Sequence, residues 1–258
     1  MSKFLNNLQK VTYVKHWTEN LFSFRITRPQ SFKFRSGEFV MIGLPNEEDK
    51  PNLRAYSIAS PSWYEELEFY SIIVKDGPLT SKLKNISIND DVILMPKSTG
   101  TLVLDALKPG RRLFLLSSGT GFAPFASLIK EPETFEKFEK VIITHTCRTI
   151  DELGYSKEKI KECHNDPLIK EFVSDRLINF HSTTREKYSN NGRITDLIST
   201  GKLFTDLNIE AISENDRFMF CGSMGLNNDL KKIMLKYNLC EGANNKPGDF
   251  VLEKAFVD

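Results

Sequence analysis

The chain has 258 residues, 40% of them hydrophobic and 27% charged, and its 35 Lys and Arg against 34 Asp and Glu leave a formal net charge of +1. That composition describes a globular protein with enough apolar material for sizeable cores, in a length that suits two ordinary domains. So even a charge balance gives no electrostatic support to nucleic-acid binding or to a membrane-surface role. No apolar stretch approaches the length of a membrane span. The opening MSKFLNNLQKVTYVK lacks the apolar core of a signal peptide, so a cytoplasmic location is expected. Cys147, Cys163, Cys221 and Cys240 stand far apart with no CxxC pair, and His16, His145, His164 and His181 fall in no ligand pattern. No metal site is expected, and the histidines read as structural.

From the N-terminus, β-rich runs alternate with turn residues: Val11 to Lys15, Leu21 to Thr27, Glu38 to Leu44, Arg54 to Ser60, Leu67 to Lys75, Asp91 to Met95 and Leu102 to Leu104. Short strands with Gly and Pro punctuation predict a small antiparallel barrel. The run from Arg54 to Pro61, RAYSIASP, carries the most chemistry. In a strand, Arg54, Tyr56 and Ile58 share one face while Ala55 and Ser57 point the other way. A flavin needs such a set: a cation for its diphosphate, an aromatic face for its ring and a hydroxyl for the ring's polar edge. An ordinary barrel strand carrying a Tyr and an Arg is the plainer alternative. Farther on, Gly77, Pro78, Leu79, Thr80, Ser81, Lys82 and Leu83 read as a turn entering a short helix, whose free N–H groups and hydroxyls could hold a diphosphate with Arg54 or simply cap a surface helix.

Periodicity changes near Lys108, Pro109 and Gly110, which puts a boundary between residues 1–107 and residues 108–258. Beyond it the strands Leu113 to Ser117, Val141 to Thr146, Leu177 to Thr183, Arg217 to Cys221 and Phe250 to Phe256 alternate with helical stretches, which predicts a parallel α/β sheet. Ser118, Gly119, Thr120, Gly121 join the first of these strands to a helix through Ile129, with Pro124 in its first turn. Glycines there admit a phosphate or nicotinamide, though tight turns also use glycine for steric reasons alone; strand carboxyl ends near a switch point favour the ligand. Cys221, Gly222 and Ser223 open a second helix, Met224 to Tyr237, with Ser223 as N-cap. Cys221 would face the nicotinamide or else be a buried core thiol. Arg148 follows the second strand, and Thr184, Arg185 and Arg193 follow the third. Forked guanidinium donors at adjacent strand ends suit a 2′-phosphate and so NADP over NAD.

These motifs, with the terminal Ala255, Phe256 and Val257, occur in an order that resembles the bacterial ferredoxin/flavodoxin–NADP reductases over nearly the whole chain. The resemblance implies a six-stranded antiparallel FAD-binding barrel followed by an NADP-binding α/β domain with a five-stranded parallel sheet. It implies FAD held by Arg54, Ala55, Tyr56, Ser57, Ile72, Val74, Gly77, Leu79, Thr80, Ser81, Thr120, Ala255 and Phe256. NADP(H) would be held by Gly119, Thr120, Gly121, Arg148, Thr184, Arg185, Arg193, Cys221, Gly222 and Ser223. Tyr56, Ser57 and Cys221 would serve the chemistry: Tyr56 covering one ring face, Ser57 near N5, and Cys221 beside the nicotinamide. Small Ala255 would leave the opposite face open, and Phe256 would lie against the adenine. One departure is the last residue, Asp258, where close relatives often carry lysine. The implied partners are NADPH and a ferredoxin or flavodoxin, met by a monomer; 14 basic against 12 acidic residues in residues 1–108 show no dominant docking face, and Lys33 and Arg35 read as solvated charges. An oxygenase reductase component, a free-flavin reductase and a non-catalytic flavin-binding sensor are the alternatives.

Overall fold

The computed structural model describes residues 5–45, 51–74, 77 and 79–254. Six strands form the first sheet: β1 Leu8–His16, β2 Leu21–Thr27, β3 Phe39–Gly43, β4 Arg54–Ser57, β5 Glu66–Ile72 and β6 Asp91–Thr99, in the order β4-β3-β6-β1-β2-β5. All pairings are antiparallel, and the two outer strands approach each other through the bridge Ile58↔Phe69. The sheet therefore curls into the predicted barrel around Phe22, Phe24, Ile26, Ile42, Leu67 and Phe69, all fully buried. Strand β6 runs farther than its apolar residues suggest, because Pro96 sits where the β3–β6 register shifts between Val40 and Ile42. An irregularity is where a sheet tolerates a residue without a backbone donor. Leu102 to Leu104 is not a seventh strand. Its side chains bury against the second domain, and the chain turns into a 3-10 segment, Leu104–Ala106. A short helix, α1 Thr80–Leu83, lies between β5 and β6.

The second sheet is parallel, as predicted: β7 Arg112–Ser118, β8 Lys140–Cys147, β9 Leu177–Thr183, β10 Asp216–Gly222 and β11 Phe250–Lys254, ordered β11-β10-β7-β8-β9. Strand β7 is buried on both faces, so its sequence shows a continuous apolar run rather than alternation. Leu113 and Leu115 face a layer made by α2 Ala123–Leu128, α3 Pro132–Lys137, α4 Gly154–Asn165 and α5 Lys170–Val173. Phe114 and Leu116 face α6 Ile194–Ser199, α7 Lys202–Leu207 and α8 Met224–Lys236. At the amino end of the sheet Arg112 forms a bidentate pair with Asp216, at 2.7 and 2.6 Å, and caps the carbonyls of Glu210 and Ala211.

One register joins the two halves. On β5, Leu67 and Phe69 enter the barrel core, so Glu68 and Tyr70 point outward, yet all four are buried because the α/β layer covers that face. Tyr70 stacks on Tyr155 of α4 with centroids 4.0 Å apart. The Glu68 carboxylate accepts hydrogen bonds from Lys159 Nζ (2.8 Å), Tyr155 Oη (3.0 Å) and Arg25 Nε (3.1 Å). Glu162 takes a second bond from Lys159 at 3.1 Å and one from Lys130 at 2.6 Å. A second link lies at the opposite edge, where Glu253 of β11 accepts from the Thr101 amide and hydroxyl; burial, the largest influence, pushes its carboxyl up to about 7, against the opposing pull of Thr101.

Breaking one side of a buried ion pair leaves an uncompensated charge, so Glu68→Ala is expected to cost about 3 kcal/mol or more in urea unfolding. Glu68→Leu combined with Lys159→Met should recover most of that loss; a single-variant cost below about 1 kcal/mol would remove this network from the interface. Glu253 binds its proton more tightly folded than unfolded, so its contribution is complete at low pH and is lost as pH rises from about 4.5 through about 7. Relative to wild type, Glu253→Gln should therefore gain stability progressively across that window and level off above it, read as urea midpoints against pH. A difference that is flat with pH would contradict the assignment.

Candidate functional site

Parallel pairing in register brings the carboxyl ends of four strands to one edge. Ser118 pairs with Thr146, Cys147 with Thr183, and Ser117 with Cys221. The turns that follow them meet at a cavity of about 720 Å³ lined by Gly119, Thr120, Arg148, Thr184, Arg185, Arg193 and Ser223, and closed on the barrel side by Leu21 and Ile72. Open parallel sheets bind ligands at this edge.

The two glycines of the first turn are there for different reasons. Gly119 adopts φ +53°, and a Cβ added to it would meet nothing within 4 Å, so its glycine serves conformation. Gly121 serves close packing: its Cβ would fall 2.1 Å from the Cys221 carbonyl oxygen. Chain direction changes at Gly119, and a 3-10 segment, Gly119–Phe122, leads into α2 with Pro124 in the first turn. Gly222 packs as tightly, against Ser118 and Leu226. Ser223 caps α8 by accepting from the Leu226 amide at 3.2 Å, as predicted.

Backbone bonds hold the arginine-bearing loops together. The Thr184 amide donates to the Cys147 carbonyl and the Arg185 amide to the Arg148 carbonyl, each at 3.0 Å. Asn191 Nδ2 ties the loop back to the Glu186 carbonyl at 2.7 Å, and Gly192, at φ +126°, turns the chain so that Arg193 precedes α6. Arg148, Arg185 and Arg193 are exposed at the cavity rim, and among the described residues none of them makes an ion pair. Glu152, Asp196 and Asp229 border the same cavity, although Glu152 already accepts from the Arg148 amide at 2.7 Å and Asp229 pairs with Lys232 at 3.3 Å. Three free guanidinium groups at one rim are the donor set that a dianionic phosphate takes.

A second cavity of about 520 Å³ adjoins the first, sharing Leu21, Ile72, Arg148 and Glu152 and adding Val74, Ser81 and Lys84. Ser81 thus lines this second cavity. Thr80 does not offer a free hydroxyl: its Oγ1 accepts from the Val74 amide at 3.1 Å and closes the loop around Gly77, where a Cβ would come within 2.5 Å of that oxygen. Leu79 is also placed differently from expectation, because its side chain belongs to the barrel core at 3% exposure. Arg54, Ala55, Tyr56 and Ser57 line neither cavity; they form the open edge of β4, with Arg54 and Ala55 exposed and Tyr56 and Ser57 half-buried. Tyr56 packs edge-on against Phe24 and Phe69 and shares a 3.1 Å hydrogen bond with Ser71, while burial pushes its hydroxyl pKa up. A fixed aromatic ring beside an unpaired strand edge fits a planar heterocycle with polar margins. The Tyr70 hydroxyl, buried without a partner among the described residues, is a further unclaimed donor.

Cys221 corrects the expectation that its side chain faces the site. It is 1% exposed within the sheet core, lines neither cavity, and burial pushes its thiol well above the ordinary value. Strand parity decides this, since Cys221 shares a face with Met219 and both pack toward the α2 layer. The expectations for Ala255, Phe256 and Asp258 lie outside the described residues. Sequence reasoning missed Leu21, Glu152, Leu226 and Asp229, which reach the cavity through domain packing or helix phase and carry no motif.

No family model matches the chain. It is 56% identical to the flavodoxin/ferredoxin–NADP reductase of Rhodobacter capsulatus, over 99% of this chain and 95% of that protein. It is 43% identical to the ferredoxin–NADP reductase of Azotobacter vinelandii, over 98% of both. A solved ferredoxin–NADP+ reductase from Neisseria gonorrhoeae with bound FAD and NADP superposes with a TM-score of 0.87 at 26% identity, covering 96% of this chain and 98% of that one. Full-length similarity to such relatives, on a barrel joined to a five-stranded parallel sheet, means that the chain belongs to the ferredoxin/flavodoxin–NADP reductase family.

Proposed function

We propose that this protein is an FAD-dependent reductase that exchanges electrons between NADPH and a ferredoxin or flavodoxin, with FAD on residues 1–107 and the nucleotide on residues 108–258. The convergence of Arg148, Arg185 and Arg193 on the cavity that the Gly119 turn also lines is the observation that carries this reading. FAD, when bound, accepts two electrons from NADPH as a hydride and releases them one at a time to the carrier.

The chain's own residues supply binding and orientation. Tyr56 would cover one face of the ring system, and the Ser57 hydroxyl with the open backbone of β4 would meet its polar edge. Arg54, Gly77 and Ser81 would take the diphosphate, and Thr80 would contribute through its bond to the Val74 amide. The arginines would fix the 2′-phosphate end of the nucleotide while Gly119, Thr120 and Ser223 would receive its other half, so that the ligand would span the cavity toward Leu21 and Ile72 on the barrel wall. The apolar Leu21 and Ile72 would limit water at the barrel end of that cavity.

Arg185→Ala and Arg193→Ala should each weaken NADPH by roughly ten- to a hundredfold, the worth of a charge-assisted contact, and leave NADH nearly unchanged. Anaerobic titration of the yellow holoprotein with each nucleotide measures this, and equal losses for both would refute the 2′-phosphate assignment. Ser57→Ala should retain FAD but slow its reduction by NADPH about tenfold in stopped flow. An unchanged rate would take Ser57 out of the chemistry, and a protein that binds no FAD at all would overturn the proposal.

A further inference from the structure

Beneath the Gly119 turn lies a buried polar chain that the proposed chemistry leaves unused. His145, on β8, is 1% exposed. Its Nε2 lies 2.8 Å from the Gly119 carbonyl oxygen and its Nδ1 lies 2.7 Å from Ser156 Oγ on α4. Ser156 Oγ is in turn 3.0 Å from Nε2 of His181 on β9. Cys147 Sγ, 3.2 Å from His145 Nε2, completes the surroundings.

The partners settle the direction of these bonds. A carbonyl oxygen only accepts, so Nε2 of His145 carries the proton; the opposite tautomer would set a nitrogen lone pair against that oxygen. In the neutral ring Nδ1 then accepts, and the Ser156 hydroxyl donates to it in preference to the Leu153 carbonyl, which is farther away at 3.0 Å. The Ser156 oxygen accepts from His181 Nε2. Burial keeps both rings neutral, pushing His145 down to about 3, with His181 adding to the effect, and His181 down to about 4, with Lys157 adding. Donation therefore runs one way, from His181 through Ser156 and His145 to the Gly119 carbonyl, and bonds so aligned reinforce one another.

Nothing packs against the Gly119 α-carbon on the side a Cβ would occupy, so side-chain packing does not fix its left-handed conformation. Its carbonyl is met from the buried side by His145 and stands at the start of the 3-10 segment that leads into α2. In a planar trans peptide the carbonyl of one residue and the amide of the next point in opposite directions. With the Gly119 carbonyl drawn inward, the Thr120 amide is turned outward, toward the cavity that both residues line. We propose that His145 is a positioning residue for nucleotide binding: it aims the Thr120 amide at the nicotinamide half of the ligand, and Ser156 with His181 fix the tautomer that allows it. The inference rests on reading this cavity as the NADP(H) seat.

The test compares two ligands on the FAD-loaded enzyme by calorimetric titration. NADP+ fills the whole cavity, whereas 2′-phospho-AMP occupies only the arginine end. His145→Leu should weaken NADP+ about five- to tenfold, the worth of one hydrogen bond, and leave 2′-phospho-AMP within about twofold of wild type. His145→Gln, which keeps an N–H donor, should restore NADP+ affinity to within about twofold. Ser156→Ala frees the ring to adopt the opposite tautomer and should weaken NADP+ about threefold; it decides the matter alone if His145→Leu does not fold. Unchanged NADP+ affinity in these variants, or parallel losses of both ligands, overturns the inference while the nucleotide site stands. A wild-type enzyme that binds neither ligand overturns that site and this inference with it.

Discussion

The buried carboxylate of Glu68 is the constraint on which the rest of the molecule depends. It sits at 4% exposure on the outer face of the barrel and takes donors from its own domain, Arg25, and from the other, Tyr155 and Lys159. A charge so buried is tolerable only with its donors in place, which makes the contact more specific than an apolar one of equal area. The specificity matters because Leu21 of β2 and its register partner Ile72, on Glu68's own strand, form the barrel wall of both cavities. Were β5 to slip by one residue, Glu68 would turn into the barrel core and Phe69 toward α4, and that wall would be lost.

The site itself is a product of strand ends. Each turn contributes one or two groups that are unremarkable alone: a left-handed glycine, a capping serine, an exposed arginine. Parallel register lines them up on one edge, and the backbone bonds from residues 184 and 185 to residues 147 and 148 lock neighbouring loops together. The loops that carry the exposed guanidinium groups are thereby held by backbone bonds, and among the described residues these groups make no ion pair, which leaves their charge for a ligand. Below them the His145 chain does for one peptide what these bonds do for the loops, setting its orientation from the buried side.

Sequence and structure part company wherever the second face of an element decides. The Gly119 turn and the Ser223 cap were legible because each depends on residues close in sequence. Thr80 was legible as a hydroxyl at a turn but not as one already bonded to Val74, since that bond closes a loop whose shape no local pattern gives. Leu102 to Leu104 reads as a strand by composition, yet its leucines are drawn into the interface between domains. Cys221 follows the same logic, because strand parity sends its thiol to the core and only its carbonyl toward the Gly119 turn.

By itself the sequence determined the barrel, the parallel sheet and the switch between their periodicities. These follow from local periodicity, turn chemistry and charge, which act over a few residues. Only the tertiary structure decided which side of β5 meets α4, how Leu21 and Ile72 come to face the arginines, and that the Gly119 carbonyl rests on a buried imidazole 26 residues farther along the chain. Such contacts join residues far apart in sequence, where packing and the satisfaction of buried polar groups, rather than any local preference, select the partner.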